Sequence, residues 1–203
     1  MMATIQNKAR VSLSGTTWRI LSVLLDYPDK RLLDDLDQIT AAARQIPEPE
    51  FRRVVSDFLA YLARHDLLDL QENYTAAFDL RPTTTLNLTY HAFGDNEKRA
   101  AALSTLQHLY NQAGWERTNT ELPDYLPLML EFLSIHPRLE PDAALNIWQC
   151  LGATRTLMKD LEKTAPAYAL LLTPLARLAA ATTGPDQQIT RMTTPSCTQG
   201  GPS

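Results

Sequence analysis

The sequence predicts an all-α fold, a single-domain helical bundle, and three observations carry that prediction. Apolar residues recur at three- and four-residue steps through most of the chain, as in Phe51, Val54, Val55, Phe58, Leu59 and Leu62. That is the period of a helix with one buried face. Turn signals are short and local, built on residues such as Pro28, Pro47, Pro49, Gly114, Pro137 and Pro141. Almost nothing alternates as a strand does; the one exception is Thr83 to Thr89, a threonine-rich run that reads as a short extended piece or an irregular connection. With 203 residues and 44% hydrophobic content, the chain is long enough to bury one proper core.

Residues 1–15 are polar and are expected to be loose. Thr16 reads as the N-cap of a first helix carrying Trp18, Leu21, Val23, Leu24 and Leu25, which stops near Tyr27 and Pro28. A second helix is expected from Asp29 to Ile46, with Leu32, Leu33, Leu36 and Ile39 facing inwards. The third carries the Phe51–Leu62 stripe, and a fourth covers Leu67 to Phe78. Asp95 reads as the N-cap of a fifth, with Ala100, Leu103, Leu106, Leu109 and Tyr110 buried and Gly114 as its stop. After the helix that follows, Pro141 opens another that runs through Trp148 and Leu151 to Leu161, and a last one spans Pro166 to Ala181. The helical domain is thus expected over 16–183. Residues 184–203 turn to Thr, Pro, Gly and Gln and are expected to be a disordered tail.

The helix at the centre of the chain starts from Glu-Leu-Pro-Asp-Tyr-Leu-Pro-Leu-Met-Leu-Glu-Phe-Leu, residues 121–133. Leu122, Leu126, Met129, Leu130 and Leu133 share one face, and Leu128 and Phe132 fill the opposite one. A helix apolar on all sides belongs inside a bundle. Its start has two readings. Asp124 caps it by accepting the Leu126 N–H, leaving Pro127 harmless in the first turn; or Thr120 is the cap and Pro127 kinks the helix. Glu131 is a lone carboxylate on this helix and needs a partner or an opening.

Charge and cysteines narrow the function. The formal net charge is -4, which argues against a protein that tracks nucleic-acid phosphates and suits a basic peptide. Cys150 and Cys197 form no CxxC or Cys/His ligand spacing, so neither a disulfide framework nor a zinc site is expected. Free thiols fit the cytosol. No signal peptide is read at the start, and the apolar run from Ala169 to Ala181 is broken by Pro174 and Arg177. A soluble cytoplasmic protein is the expectation, without cofactor, nucleic acid or direct membrane insertion.

Catalytic signatures are absent: no P-loop, no dinucleotide-binding glycine pattern, no GxSxG and no HExxH. His65, His91, His108 and His136 are scattered; His108 reads as a surface residue and His136 as a helix-end residue. Cys150 reads as an inert core thiol, Trp18 and Trp148 as core, and Trp115 as a surface anchor or a staple over a helix end. Asp79 to Arg99 stands apart. It crowds Asp79, Arg81, Tyr90 and His91 between two strong helices, either as a connection with local hydrogen bonds or as the wall of a binding site.

Several linked motifs then resemble one family. Phe78-Asp79-Leu80-Arg81, Thr84 through Leu88-Thr89-Tyr90-His91, Gly94-Asp95 with Lys98-Arg99, and Glu121-Leu122-Pro123-Asp124 with Leu126-Pro127 and Leu130-Glu131-Phe132 are similar to the nitrate reductase molybdenum cofactor assembly chaperones of the NarJ type. The resemblance covers most of the chain between Trp18 and Ala181. It implies the helical fold of the TorD/NarJ-like redox-enzyme maturation chaperones. It implies a cytoplasmic chaperone, not an enzyme, whose partner is the apo alpha subunit of respiratory nitrate reductase, bound through its N-terminal segment and a further surface. The chaperone would hold that subunit while molybdenum cofactor and iron–sulfur cluster are inserted, before membrane docking. The family commonly has histidine after the Pro-Asp pair; here Tyr125 stands there, so a proton switch at this position is not expected.

Residues and resemblance together predict a groove for an amphipathic peptide helix. Leu126, Met129 and Leu130 would form its floor; Glu121, Asp124 and Asp79 would meet a basic peptide end as an acidic lip. Tyr90 and His91 would form a rim, with Tyr125 and Glu131 beside it. Two rivals belong to other classes: a helical adaptor that binds a folded partner, and an enzyme using His91 with Asp79 or Asp124 as a base.

Overall fold

The computed structural model describes residues 13–116 and 120–183; the expected loose segment before residue 13 and the tail from 184 onward lie outside the described residues. All regular elements among the described residues are helical. They are α1 (Gly15–Leu25), α2 (Lys30–Asp34), α3 (Leu36–Ala43), α4 (Pro49–Leu62), α5 (Leu67–Tyr74), α6 (Tyr90–Phe93), α7 (Glu97–Gln112), α8 (Leu126–Ile135), α9 (Pro141–Leu151), α10 (Thr154–Thr164) and α11 (Pro166–Thr183). A π-turn, Thr75–Asp79, extends α5, and a 3₁₀ turn occupies Pro82–Thr84.

Helix α8 is the centre of the bundle, as its apolar surface requires. Leu126, Met129, Leu130 and Phe132 are fully buried, and Leu128 and Leu133 nearly so. Pro127 falls in the first turn, where no intrahelical bond is lost, and His136 ends the helix. Its main partner is α1. Two details hold that pair close. The Ser22 hydroxyl donates to the Pro127 carbonyl at 2.8 Å, and Gly15 lies so near α8 that a Cβ there would sit 2.8 Å from the Ser134 carbonyl oxygen. Around this pair, α10 and α11 form a hairpin, α11 also packs on α4 and α9, and α3 bridges α1 and α4. An aromatic cluster of Phe58, Tyr61, Tyr74, Phe78 and Tyr168 joins α4, α5 and α11.

Several boundaries differ from expectation, each for a local reason. Order reaches back past Thr16: Leu13 is buried, and the cap of α1 is Ser14, whose Oγ accepts the Thr17 N–H at 3.0 Å. Glu48 completes that cap from the start of α4, accepting from Ser14 N at 3.0 Å and from the Thr17 hydroxyl at 2.7 Å. The expected helix from Asp29 to Ile46 breaks at Asp35, which ends α2 and begins α3; Ile46 is buried beyond it. The helix from Leu67 widens into the π-turn after Tyr74. Asn96, not Asp95, caps α7, accepting from Lys98 N and Arg99 N. Ala100 is exposed, and Ala102 takes its place in the buried stripe.

Helix α7 does end at Gly114, which has φ +69°. Trp115 N–H bonds the Tyr110 carbonyl at 3.0 Å, closing the last turn. The Trp115 ring packs on Tyr110 and Phe132, so of its two readings the staple is the one observed. The single helix expected from Pro141 to Leu161 is two, α9 and α10, turning at Gly152. Leu122 precedes α8 and is 40% exposed, not part of its buried face.

The Gly15 contact gives a direct test. Gly15→Ala must push α1 away from a backbone carbonyl that no side-chain rotation can move, at a cost of about 1–3 kcal/mol. A urea titration followed by circular dichroism should show the midpoint fall with the slope unchanged; an unaltered midpoint would mean the helices separate freely.

Candidate functional site

The stretch from Leu80 to Asp95 crosses the start of α8 as a strap. Two backbone bonds fix its register: Leu88 N–H to the Asp124 carbonyl at 3.0 Å, and Leu126 N–H to the Leu86 carbonyl at 2.9 Å. They form an isolated antiparallel bridge between Asn87 and Tyr125. The threonine-rich run is therefore the irregular connection of its two readings, with one bridge. Leu86 and Leu88 anchor it in the core.

Asp124 is the pin of this junction, and it corrects two expectations. It does not cap α8, because Leu126 N–H is taken by Leu86. Nor is it an exposed lip: its relative exposure is 0%. One carboxylate oxygen accepts from Thr89 N at 3.0 Å and from the Thr89 hydroxyl at 2.5 Å. Arg99 approaches the same oxygen at 3.9 Å and donates from Nε to the Thr89 hydroxyl at 3.4 Å. The other carboxylate oxygen is buried with no hydrogen-bond partner among the described residues. A buried carboxylate held this way is structural. Its charge, after burial itself, also pushes the Cys150 thiol upward, which keeps that buried sulfur protonated and inert.

Tyr125 is half-buried beside this pin. Its hydroxyl donates to Asp26 Oδ1 at 3.0 Å and meets the Tyr74 hydroxyl at 2.9 Å; Tyr74 donates in turn to the Leu25 carbonyl. Burial, then the neighbouring Tyr74 and Asp26, pushes the Tyr125 phenol upward, so it stays neutral. His91 turns its Nε2–H to the Thr85 carbonyl at 2.8 Å. Burial holds its pKa below the ordinary histidine range, against the opposing pull of that bond and of Asp160 and Asp124.

In front of the strap opens a cleft of about 460 Å³ lined by Phe78, Asp79, Arg81, Pro82, Thr85, Asn87, Tyr90, Arg99 and Leu122. Of the residues expected at a site, Asp79 and Tyr90 line it. Glu121 is exposed next to Leu122. Leu126, Met129 and Leu130 lie in the core rather than on a groove floor. Glu131 pairs with Arg19, which lines a larger groove of about 590 Å³ between α1 and α3; it is not a wall of the cleft. The smaller cleft contains two of the expected site residues, Asp79 and Tyr90, and the α1–α3 groove contains none of them. Arg99, Asn87 and Thr85 were not singled out as site residues. Arg99 stands over the Tyr90 ring at 5.5 Å, a cation–π contact that no sequence spacing announces.

Two measurements follow. Asp124→Ala leaves Thr89 and Arg99 facing an empty buried position and should cost roughly 2–4 kcal/mol of stability in denaturant titration; a soluble variant of unchanged stability would contradict the pin. For His91, the folded pKa lies below the unfolded value of about 6.5. Its contribution is therefore complete above that pH and is lost as pH falls below it, because the unfolded chain binds the proton first. Melting temperature should drop between about pH 7 and pH 5, and His91→Gln should flatten part of that slope.

Comparisons with known proteins place the chain in a family. The family model described as nitrate reductase delta subunit matches residues 47–163. The Bacillus subtilis (strain 168) protein named "Probable nitrate reductase molybdenum cofactor assembly chaperone NarJ" is 35% identical over 157 residues, covering 77% of this chain and 84% of that protein. The Escherichia coli (strain K12) nitrate reductase molybdenum cofactor assembly chaperone NarJ is 33% identical over 163 residues, 79% of this chain and 68% of that one. Among solved structures, a crystal structure of a putative redox enzyme maturation protein from Archaeoglobus fulgidus superposes with a TM-score of 0.56 at 23% identity, over 80% of this chain and 91% of that chain. That likeness is one of fold. The family match covers more than half of the sequence, and this chain belongs to the nitrate reductase delta subunit family, among relatives that are molybdenum cofactor assembly chaperones.

Proposed function

We propose that this chain is the dedicated maturation chaperone of a respiratory nitrate reductase, working in the cytoplasm. It binds the apo catalytic (alpha) subunit through that subunit's N-terminal segment and a further surface. It holds the subunit while molybdenum cofactor and iron–sulfur cluster are inserted, and lets it go before membrane docking. Binding of the leading segment is assigned to the cleft in front of the strap.

The observation that supports this reading best is the combination at the cleft mouth. Leu122 lines the cleft and is 40% exposed, with the charged Asp79 and Arg81 and the Tyr90 ring, and Leu80, between Asp79 and Arg81 in the chain, is 70% exposed. An open cleft with exposed leucines and charges at its edge suits a short amphipathic segment. The groups an enzyme would need are turned elsewhere: His91 is engaged with the Thr85 carbonyl, and Asp124 is sealed. The work is differential binding, tight to the unfinished partner and weak to the finished one.

Isothermal titration calorimetry with a synthetic peptide of the leading few dozen residues of the catalytic subunit tests the reading. Binding around micromolar, about -8 kcal/mol, is expected, and Leu122→Ser should weaken it without unfolding the chain. Heat only with the folded enzyme, and none with the peptide, would favour the helical adaptor instead.

A further inference from the structure

The cleft is not uniformly acidic; charges of both signs line it. Asp79 supplies the negative charge in its lining. Arg81 and Arg99 supply the positive charge. These two arginines differ in what they are free to do. Arg99 is committed: its side chain is only 13% exposed, it meets Asp95 at 3.5 Å and Asp124 at 3.9 Å, and it covers Tyr90. Arg81 is exposed, and among the described residues it has no ion pair.

The backbone beneath Arg81 is nonetheless fixed. Pro82 follows it and holds it extended, at φ -137° and ψ 122°. Its carbonyl accepts from Thr84 N at 3.1 Å and from the Thr84 hydroxyl at 3.3 Å. A cation on a fixed backbone, at the edge of a cleft and with its donors unspent, is arranged to bind an anion from outside. Guanidinium matches a carboxylate with two parallel hydrogen bonds, so it discriminates as well as attracts.

Resting on the reading that this cleft holds a client segment, we infer that Arg81 is its specificity-determining residue and recognises a carboxylate side chain of that segment. Apolar side chains of the segment cover Leu122, and an acidic residue faces Arg81.

A charge-swap titration tests this with the full chain and the leading-segment peptide, alongside peptides in which each acidic residue is changed in turn to lysine. Arg81→Glu should weaken the unaltered peptide by about tenfold, as expected for a lost charge-assisted contact, and Arg81→Gln by less. One lysine-bearing peptide should recover affinity for Arg81→Glu while losing it for the parent chain. Thermal melts confirm that the exposed substitutions leave the fold intact. If the parent chain binds the peptide and Arg81→Glu binds every peptide equally well, the inference is overturned while the holding function stands. If the parent chain binds no peptide at all, the holding function is overturned and this inference with it.

Discussion

The fold around the cleft depends on one buried carboxylate. Asp124 sits where water does not reach, and burying a charge is costly unless it is compensated. Compensation comes from two donors of a single residue, Thr89, with Arg99 behind them. All three contacts reach Asp124 from the strap and the first turn of α7, so satisfying the charge also sets where the strap lies. The flanking backbone bonds at Leu86 and Leu88 then have only one register available. Without that register, Asn87, Tyr90 and Arg99 would not share a wall.

The same contacts explain how much of this was legible in the sequence. Helices α4, α8 and α11 could be read because their apolar spacing is dense and their ends carry Pro or Gly, signals that act within one turn. The misread boundaries are those settled by partners far along the chain. Ser14 caps α1 with help from Glu48, and no local rule favours it over Thr16. Asp124 obeyed the local rule for an N-cap, an acidic residue just ahead of an apolar run. Its real partners, Thr89 and Arg99, are 35 and 25 positions away, and no spacing links them.

The site was half legible for a related reason. Asp79 and Tyr90 stood out because polar and aromatic groups crowd a connection between strong helices, and a connection must place them somewhere. Leu126, Met129 and Leu130 were assigned both to a buried helix and to a groove floor, which compete for the same side chains. Burial prevailed: Leu126, Met129 and Leu130 are fully buried, and the exposed leucines in and beside the cleft are Leu122 and Leu80. Those residues show no periodicity, since neither belongs to a regular helix.

That small apolar area bears on how a holding protein lets go. Fully burying a leucine contributes about 1.5–3 kcal/mol, and Leu80 and Leu122 are already partly covered. Together they fall short of or barely match the association cost of about 4–15 kcal/mol. On the proposed function, these two leucines alone would not hold a segment irreversibly, and the charged side chains Asp79 and Arg81 would help decide which segment stays. Electrostatic contacts at an exposed rim act mainly on selection and encounter, and they weaken as the geometry opens. A wall pinned by Asp124 with a modest, charged mouth suits the proposed partner, which must be recognised, kept for a time and released.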